Sequence, residues 1–599
     1  MSDKDAMETW LAESAEFTQN MAQVSETSAE IWAKYMGAQA ARSDQPKRMD
    51  PLNTLPSFTN FAKVLAENPQ QVTTATFAWW QSQADLWQSS WSRWMGESPD
   101  AVAEPSRSDK RFRHEQWSEN VLFDYLKQSY LLTSSYMQGA AHDVGDMSPQ
   151  ERKKIEFYTR TFVEAMSPSN FFALNPEVLE ATASQKGQNL VRGLKMMLQD
   201  MERGKGELII RQTDMDAFKV GRDMAISPGS VVFQNNVLQL IQYAPTTEQV
   251  HARPLMFIPP WINKYYVLDL NEKKSMMKWL VAQGFTVFMV SWVNPDERQA
   301  AETWDSYMDA LSEAMDVALK ETGQKKLNLA SYCIGGTMVG SILARAGKKK
   351  DTRISSATLF TAQLDFADAG ELQVFVDDKT IDAVDAEMEK GYLPAEKMAS
   401  AFNMLRSADL IWGYVVNNYM LGKDPFPFDL LYWNADSTAM PARVHHFYLE
   451  TFYRNNAFVN GVLPVQGEIV GLEDITGPVY HVATREDHIA PAPSVYRGAR
   501  MMKNADVRFV LAGSGHIAGV VNPPEAEKYQ YWVNDEFEAP TLDEWMAKTQ
   551  EHPGSWWQDW APWLAGHSGR MVKAREPGHK VGVIEPAPGS FVQRRFDQR

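Results

Sequence analysis

The chain has 599 residues, a formal net charge of −17 and a hydrophobic fraction of 44%. The length predicts two or more domains, or one large domain with additions, and the apolar fraction is sufficient for a large buried core. The negative charge argues against a nucleic-acid-binding protein and against a general attraction to anionic membranes. The N-terminus lacks the apolar segment of a signal peptide. No run of about 18 apolar residues occurs, so we also expect no membrane-spanning helix.

Residues 1–105 predict a helical N-terminal arm with a row of aromatic residues along one face. The row follows the spacing of a heptad seam, and it consists of Phe77, Trp80, Ala84, Trp87, Trp91 and Trp94. Such a face suits a helix docked on its own domain or on a partner, or a surface for contact with a hydrophobic body. Residues 106–206 predict a helical N-terminal domain without chemistry of its own.

Residues 207–599 predict a catalytic α/β domain. Short apolar strands alternate here with helices, which is typical of a parallel, doubly wound sheet. The alternation breaks over about 365–470, which is too long for a loop between strands and predicts an inserted cap. The predicted strands begin with Leu208–Ile210, and Val231–Phe233 and Leu238–Tyr243 form a hairpin around Asn235-Asn236. The others are Leu255–Ile258, Phe285–Trp292, a strand from Leu327, Ser356–Thr361, Val479–Thr484 and Val507–Leu511.

The strand from Leu327 runs into Ser331-Tyr332-Cys333-Ile334-Gly335-Gly336 and then into a predicted helix. A strand, a sharp turn and a helix with a nucleophile at the apex form the pattern of a nucleophile elbow, G-x-S-x-G. Here Cys333 stands for the serine and Ser331 for the first glycine. The glycines permit the tight turn and a close approach of strand and helix. At the N-terminus of that helix, the macrodipole favours a thiolate.

Cys333 is the only cysteine in the chain, so no disulfide can form within it, which fits a reducing cytosol. A lone cysteine is most often a small buried hydrophobic residue. Its position at the apex of a glycine-flanked turn favours the catalytic interpretation.

A thiol nucleophile needs a base, and the base needs an orienting acid. On the α/β-hydrolase fold the order is nucleophile, acid, histidine, each after a strand. Asp487 follows the strand Val479–Thr484, and His516 follows Val507–Leu511 in a glycine-rich loop. We therefore predict a triad of Cys333, Asp487 and His516.

Neighbouring residues compete for two of these roles. Glu486 is the alternative acid, and His488 is the alternative base, although we expect His488 to hold its loop. His481 lies within a predicted strand and is expected in the core. The run Lys348-Lys349-Lys350 predicts a solvated helix end, with phosphate binding as the alternative. The sequence shows no metal-ligand spacing, phosphate-binding loop or dinucleotide fingerprint, so no metal is expected.

An acyl-transfer intermediate also needs backbone amides that stabilise its oxyanion. The first is predicted to be the amide of Ile334, next to the nucleophile. The second should follow the strand Leu255–Ile258, with Trp261 or a near neighbour as the candidate.

With the elbow and both loops in place, the chain closely resembles class I polyhydroxyalkanoate synthases. The resemblance covers most of the chain beyond about residue 105. It implies an α/β-hydrolase fold with an inserted cap, preceded by a mainly helical N-terminal domain. The matching stretches are Phe123–Tyr130, Gly187–Gly193, Pro259–Tyr266, Tyr332–Gly336, Leu364–Phe366, Phe428–Asn434, Asp487–Ile489 and Gly515–Gly519.

This resemblance implies a cytoplasmic acyltransferase that polymerises (R)-3-hydroxyacyl-CoA, such as short-chain 3-hydroxybutyryl-CoA, and coats the polyester granule. Cys333 would be the acylated nucleophile, His516 the general base and Asp487 its partner, which also helps to activate the incoming hydroxyl. Trp433 matches a tryptophan near a dimer interface. Ser331 replaces the glycine usual in this family, and we expect a slight geometric adjustment without loss of activity.

The resemblance also implies the partners: the CoA thioester, the growing polyester chain, a second copy in a homodimer, and granule-associated proteins. No cofactor is expected, since CoA is a product. Two rival functions use the same sequence features. One is a Cys-dependent thioesterase or hydrolase with water as the acceptor, against which the apolar cap argues. The other is a non-catalytic granule scaffold, which would leave the triad positions without a purpose.

Overall fold

The structure is a computed structural model that describes residues 3–41, 54–143 and 147–595. The chain forms two compact units, the first comprising Met1–Asp214 with Ser400–Pro427 and the second Met215–Ala399 with Phe428–Arg599. The arm predicted over residues 1–105 includes residues 42–53, which lie outside the described residues. None of the described helices has both the length and the apolar character needed to cross a membrane.

The described helices are α1 (Asp3–Ala41), α2 (Thr54–Glu67), α3 (Pro69–Trp94), α4 (Gln116–Glu119), α5 (Val121–His142), α6 (Pro149–Ala165), α7 (Pro176–Ser184), α8 (Gln188–Arg203), α9 (Met276–Ala282), α10 (Trp304–Thr322), α11 (Ile334–Lys349), α12 (Asp378–Glu387), α13 (Ala395–Leu405), α14 (Asp429–Ala435), α15 (Ala442–Phe447), α16 (Ala492–Arg500), α17 (Leu542–Met546), α18 (Trp557–His567) and α19 (Ser590–Gln593). Three further segments are π-helical: Ala408–Trp412, Val415–Met420 and Tyr448–Arg454.

The described strands are β1 (Gly229–Gln234), β2 (Leu238–Tyr243), β3 (Gln249–His251), β4 (Leu255–Ile258), β5 (Val287–Trp292), β6 (Leu327–Tyr332), β7 (Ile354–Phe360), β8 (Tyr392–Leu393), β9 (Met440–Pro441), β10 (Leu463–Val465), β11 (Glu468–Val470), β12 (Gly477–Thr484), β13 (Ala505–Ala512), β14 (Gln530–Val533), β15 (Gln550–Pro553), β16 (Met571–Lys573) and β17 (Glu585–Pro586).

The first unit is built from helices. Its α3 packs against α5, α1 against α8, and α8 against the π-helical turn Val415–Met420. At the last contact, a Cβ on Gly193 would lie 1.9 Å from the carbonyl oxygen of Tyr419, so only glycine permits this approach. The predicted strand Leu208–Ile210 does not form. Its backbone is instead held by the side chain of Arg203, which donates to the carbonyl of Ile209.

The second unit contains an eleven-stranded mixed sheet in the order β15-β14-β13-β12-β7-β6-β4-β5-β2-β1-β17. The six strands from β13 to β5 in this order are parallel. Antiparallel strands extend the sheet at both ends, among them the predicted hairpin of β1 and β2. The expectation of a parallel sheet therefore holds for its centre, whereas the edges are antiparallel.

The central strands of this sheet are buried on both faces, as the near-continuous apolar runs predict. In β4, Met256 and Ile258 belong to a core cluster that includes α10 and α11. The intervening Leu255 and Phe257 belong to a second cluster that includes α9 and α18. The carboxyl ends of the parallel strands thus lie along one edge of the sheet, where the loops after them meet.

Between β7 and β12 the chain leaves the sheet for more than one hundred residues, as the predicted cap requires. Its parts in the second unit are α12, β8, α14, β9, α15, the π-helical turn Tyr448–Arg454, and the hairpin of β10 and β11. This stretch carries aromatic residues that pack among themselves: Phe366, Phe447, Tyr448, Phe452 and Tyr453.

We predict that Gly193→Ala lowers the stability of the first unit, because its methyl group overlaps the Tyr419 carbonyl. Overpacking of this kind costs roughly 1–3 kcal/mol, which thermal unfolding followed by circular dichroism would detect. Gly139→Ala is the matched control, since a Cβ there meets nothing within 4 Å in helix α5. Equal unfolding temperatures for the two variants would contradict the packing argument.

Candidate active site

Cys333 occupies the apex of the turn between β6 and α11, with φ 53° and ψ −128°. A positive φ is strained for a residue with a side chain, and such strain is concentrated at functional turns. Two backbone hydrogen bonds hold the turn. The N–H of Cys333 donates to the carbonyl of Phe360 over 2.9 Å, and the N–H of Gly336 donates to the carbonyl of Cys333 over 2.8 Å. The local geometry is that of a nucleophile elbow.

The two glycines of the motif are required by close packing. A Cβ on Gly335 would lie 2.4 Å from the carbonyl oxygen of Ile258, and one on Gly336 would lie 2.2 Å from the Cβ of Ala362. Any side chain at either position would push α11 away from the ends of β4 and β7. The glycines therefore bring the helix N-terminus and Cys333 to the sheet edge.

Ser331 fits this elbow without taking up its strain. It lies fully buried within β6, in register with Ile258 and Leu359 of the neighbouring strands. Its hydroxyl donates to the carbonyl of Thr358 over 3.2 Å. The left-handed conformation falls on Cys333 rather than on Ser331, so the position does not need the conformational freedom of glycine.

Asp487 follows β12 and is buried. Its Oδ2 accepts a hydrogen bond from Nδ1 of His516 over 2.7 Å and from the hydroxyl of Thr484 over 3.1 Å. The backbone N–H groups of Ile489 and Ala490 each donate to Oδ1 over 2.9 Å. Burial opposes ionisation, but the histidine and these amides together lower the pKa of the carboxyl. Asp487 is thus held as a carboxylate facing the imidazole.

His516 follows β13 and is 8% exposed. Burial disfavours its charged form, but the Asp487 carboxylate and the nearby Cys333 raise its pKa well above the usual value. The ring of Tyr332 stacks on the imidazole at 5.3 Å between centroids. The Tyr332 hydroxyl also donates to the His516 carbonyl over 3.0 Å. The structure thus brings together the three residues predicted for the triad.

The competing residues lie elsewhere. Glu486 is exposed, and its amide donates to the carbonyl of Ser514. The His488 carbonyl accepts a hydrogen bond from the amide of Glu371 over 3.2 Å, and the role of its side chain in holding this loop stays a prediction. His481 is fully buried in β12, and burial lowers its pKa to about 4.

The lysine run lies at the far end of α11, about 22 Å from Ile334 at 1.5 Å per residue. Lys349 forms an ion pair with Glu468, and Lys348 donates to the carbonyl of Ile469. These partners belong to the hairpin of β10 and β11. The run is therefore a helix end fastened to that hairpin.

The residues predicted to supply oxyanion amides lie on segments that touch. Ile334 is the first residue of α11, and the backbone N–H groups of a helix's first turn have no acceptor within the helix. Trp261 follows β4, and its ring is buried against Trp292, Trp304 and Tyr307. The contact of Gly335 with Ile258 and Pro259 places the start of α11 against this segment.

Two tyrosines from the cap were missed by the sequence analysis. Tyr448 and Tyr453 lie on the π-helical turn, and their rings pack at 5.4 Å between centroids. Burial raises the pKa of both hydroxyls, and the nearby Cys333 thiolate adds to this effect. Their five-residue spacing is not that of an α-helical face, so only the π-helical turn explains why both face the same site.

Trp433 is 2% exposed within the single chain. Its indole N–H donates to the carbonyl of Lys264 over 2.7 Å. In this conformation it offers little surface to a second copy, and its role at a dimer interface stays a prediction. Among the described residues, no group of three or more His, Cys, Asp or Glu side chains is arranged to hold a metal ion.

The comparisons with known proteins agree with this geometry. A model of the alpha/beta hydrolase fold matches residues 254–523. The second unit therefore has the α/β-hydrolase fold. A model described as the N-terminus of poly-beta-hydroxybutyrate polymerase (PhaC) matches residues 108–280.

Similar proteins extend over nearly the whole chain. The poly(3-hydroxyalkanoate) polymerase subunit PhaC of Rhizobium etli is 45% identical over 556 residues, covering 91% of this chain and 87% of the relative. That of Rhizobium meliloti is 44% identical and covers 96% and 94%, and that of Cupriavidus necator is 42% identical and covers 81% and 83%. The chain belongs to the poly(3-hydroxyalkanoate) polymerase family and is an enzyme of the acyltransferase class, which confirms the resemblance found in the sequence.

The raised pKa of His516 predicts a pH-dependent stability. A raised folded-state pKa contributes stability below the unfolded value of about 6.5, and this contribution is lost as the pH rises toward the folded value. Asp487→Asn removes the carboxylate that raises the pKa. We therefore expect a smaller fall in unfolding temperature between pH 6 and pH 9 for this variant than for the wild type.

Glu486→Gln is the matched control, because it removes a neighbouring but exposed carboxylate. It should keep the wild-type dependence on pH. If the unfolding temperatures of the wild type and Asp487→Asn fell equally between pH 6 and pH 9, the raised pKa of His516 would be contradicted.

Proposed function

We propose that the chain polymerises (R)-3-hydroxyacyl-CoA, with short-chain units such as 3-hydroxybutyryl-CoA, through an acyl-Cys333 intermediate. The hydrogen bond between His516 and Asp487, beside Cys333 at the apex of a nucleophile elbow, is the observation that supports this mechanism. The names of the relatives, poly(3-hydroxyalkanoate) polymerases, support the substrate class.

Acylation begins with a proton transfer. A free thiol has a pKa of about 8.5 and is mostly protonated at neutral pH. Nε2 of His516 takes this proton, while Asp487 accepts from Nδ1 and stabilises the imidazolium. The Cys333 thiolate then attacks the thioester carbon, and the oxyanion is stabilised by the Ile334 amide and one from the segment around Trp261. CoA leaves as a thiolate and takes the proton from His516.

Chain growth uses the same residues. The hydroxyl of the next unit loses its proton to His516 and attacks the acyl-Cys333 carbonyl. The C–S bond breaks, an ester forms, and the Cys333 thiolate recovers the proton. Both steps proceed without a redox change, so the proposal includes no cofactor, and CoA appears as the product. Thioester exchange leaves the free energy of the acyl bond nearly unchanged, which suits repeated transfer.

The aromatic surroundings of the thiol favour a hydroxyl acceptor over water. Tyr448 and Tyr453 lie near the thiol, and Phe366 packs against both rings. The Tyr448 ring is also in contact with Phe452. Exclusion of water prevents hydrolysis of a reactive acyl intermediate. A thioesterase would need water at this position, so the polymerase is the better-supported function on the shared fold.

We further propose that the enzyme works in the cytoplasm at the surface of its polyester product, as a homodimer and beside other granule proteins. The aromatic row on α3 supports the surface contact. All its aromatic members are more than half exposed: Phe77, Trp80, Trp87, Trp91 and Trp94. Among the described side chains, every tryptophan classed as exposed lies on α1 or α3.

The charge of α3 favours a neutral polymer over a membrane as the occupant of this face. Its 26 residues include two charged side chains, Asp85 and Arg93. Helices that bind anionic membranes carry many lysines and arginines on the polar face, and α3 does not. Tryptophan suits an interface with one apolar and one wet side, and its indole N–H can donate to ester carbonyls.

Wild-type enzyme supplied with 3-hydroxybutyryl-CoA should release CoA while the solution becomes turbid with polymer. Cys333→Ala should abolish both signals, because no acyl intermediate can form. Cys333→Ser should retain only a small fraction of the rate, since an alkoxide is harder to generate and an oxygen ester is a poorer donor. CoA release with free 3-hydroxybutyrate as the sole product would favour the thioesterase instead.

The triple variant Trp80→Gln, Trp91→Gln and Trp94→Gln should bind preformed poly(3-hydroxybutyrate) particles at least tenfold more weakly in a sedimentation assay. Much apolar area would be lost from the contact. The matched control Phe171→Gln with Phe172→Gln removes two partly exposed aromatic residues elsewhere in the first unit and should bind normally. Equal binding of the triple variant and wild type, or tighter wild-type binding to phosphatidylglycerol vesicles than to polyester, would contradict this assignment.

A further inference from the structure

The segment after β4, Pro259–Tyr266, is fastened to residues 433–438 by four side-chain hydrogen bonds. Nζ of Lys264 donates to Oδ1 of Asp436 over 2.7 Å, and the hydroxyl of Tyr266 donates to Oδ2 over 2.9 Å. In the reverse direction, the indole of Trp433 donates to the Lys264 carbonyl over 2.7 Å, and the hydroxyl of Thr438 donates to the Trp261 carbonyl over 3.0 Å.

The ion pair at the centre of this network is almost completely buried. The side chains of Lys264 and Asp436 are 4% and 0% exposed. Moving charged groups from water into the protein interior costs a large desolvation energy. Buried charges therefore persist only when they are well paired and hydrogen bonded. Both carboxylate oxygens of Asp436 are used. Burial and the adjacent carboxylate keep the pKa of Tyr266 well above its usual value, so this hydroxyl stays a donor.

The Thr438 hydrogen bond bears directly on oxyanion geometry. The Trp261 carbonyl and the Ile262 amide belong to one planar peptide, in which C=O and N–H point in opposite directions. Fixing the carbonyl toward Thr438 therefore fixes the direction of the Ile262 amide away from it. The other end of the segment is fixed where Ile258 and Pro259 contact Gly335. The backbone beside the nucleophile is thus restrained at both ends.

The thiol-activating residues are held by different contacts. Asp487 is bound by Thr484, Ile489 and Ala490, and His516 is stacked on Tyr332. These contacts come from the ends of β6 and β12. Thiolate formation and oxyanion stabilisation therefore depend on separate supports.

We propose that Lys264, Asp436 and Thr438 are positioning residues for acylation of Cys333. They hold in place the backbone amide that follows Trp261, that of Ile262, as the second donor to the oxyanion. The proposal rests on the acyl-Cys333 mechanism above. It extends that mechanism by making the stretch after α14 part of the catalytic support. Loss of these contacts slows attack on the thioester without changing the reactivity of the thiol itself.

Two rates measured on the full-length protein separate these effects. The first is acylation, followed as CoA released from 3-hydroxybutyryl-CoA in the first turnover by rapid quench. The second is alkylation of Cys333 by iodoacetamide, which needs the thiolate but no oxyanion amide. Thr438→Val removes one hydroxyl at nearly constant volume. We expect its acylation rate to fall roughly tenfold to a hundredfold, with alkylation within twofold of wild type.

Asp436→Asn should show the same separation, and Thr438→Ser, which keeps the hydroxyl, should restore acylation to near the wild-type rate. The matched control is Lys274→Met. It breaks a second lysine–aspartate pair, between Lys274 and Asp429 of α14 at 2.8 Å, whose side chains are 43% and 13% exposed and therefore less buried than Lys264 and Asp436. Its acylation rate should stay within twofold of wild type.

The proposal is overturned if Thr438→Val acylates as fast as wild type, or if acylation and alkylation fall together, which would indicate general damage to the site. An equal loss of acylation in Lys274→Met would also overturn it. If wild-type enzyme releases CoA without acylating Cys333, the underlying mechanism fails instead, and mass spectrometry of the quenched protein distinguishes this case. Should Asp436→Asn not fold, Thr438→Val alone decides the question.

Discussion

The left-handed conformation of Cys333 is the constraint on which the rest of the catalytic site depends. A side chain at φ 53° is strained, and it persists because α11 is packed too closely on β4 and β7 to allow another path. Gly335 and Gly336 make that packing possible. The same packing sets the thiol at the helix N-terminus and brings the Ile334 amide beside it. The strain at Cys333 and the positions of its thiol and of the Ile334 amide therefore share one structural cause.

The buried Asp487 and His516 set the electrostatics beside Cys333. Asp487 accepts hydrogen bonds from two backbone amides and one hydroxyl besides His516, so its charge does not depend on the histidine alone. That fixed charge, rather than exposure to water, raises the pKa of His516 against the effect of burial. The carboxylate therefore stabilises an imidazolium once His516 has taken a proton.

Local sequence patterns were sufficient to predict the features that depend on neighbouring residues. The elbow, the parallel central strands and the positions of Asp487 and His516 follow from short apolar runs and glycines. The apolar triplet Leu208–Ile210 resembled a strand, but it has no strand partner and is bound by Arg203. The pairing of Lys264 with Asp436 joins residues 172 positions apart, and no local signal reveals it. The π-helical turn that directs Tyr448 and Tyr453 to the thiol likewise depends on tertiary packing.

Aromatic residues are packed together in the second unit and exposed on α3 in the first unit, and the two arrangements suit different purposes. In the second unit, aromatic side chains pack against each other near the thiol and along the sheet, where the proposed mechanism needs water to be excluded from the acyl group. In the first unit, those of α3 remain in solvent along one helix face. Exposed tryptophans of this number are unfavourable for an isolated soluble protein. In the contact proposed above, the insoluble polyester product supplies the apolar surface that the exposed face lacks.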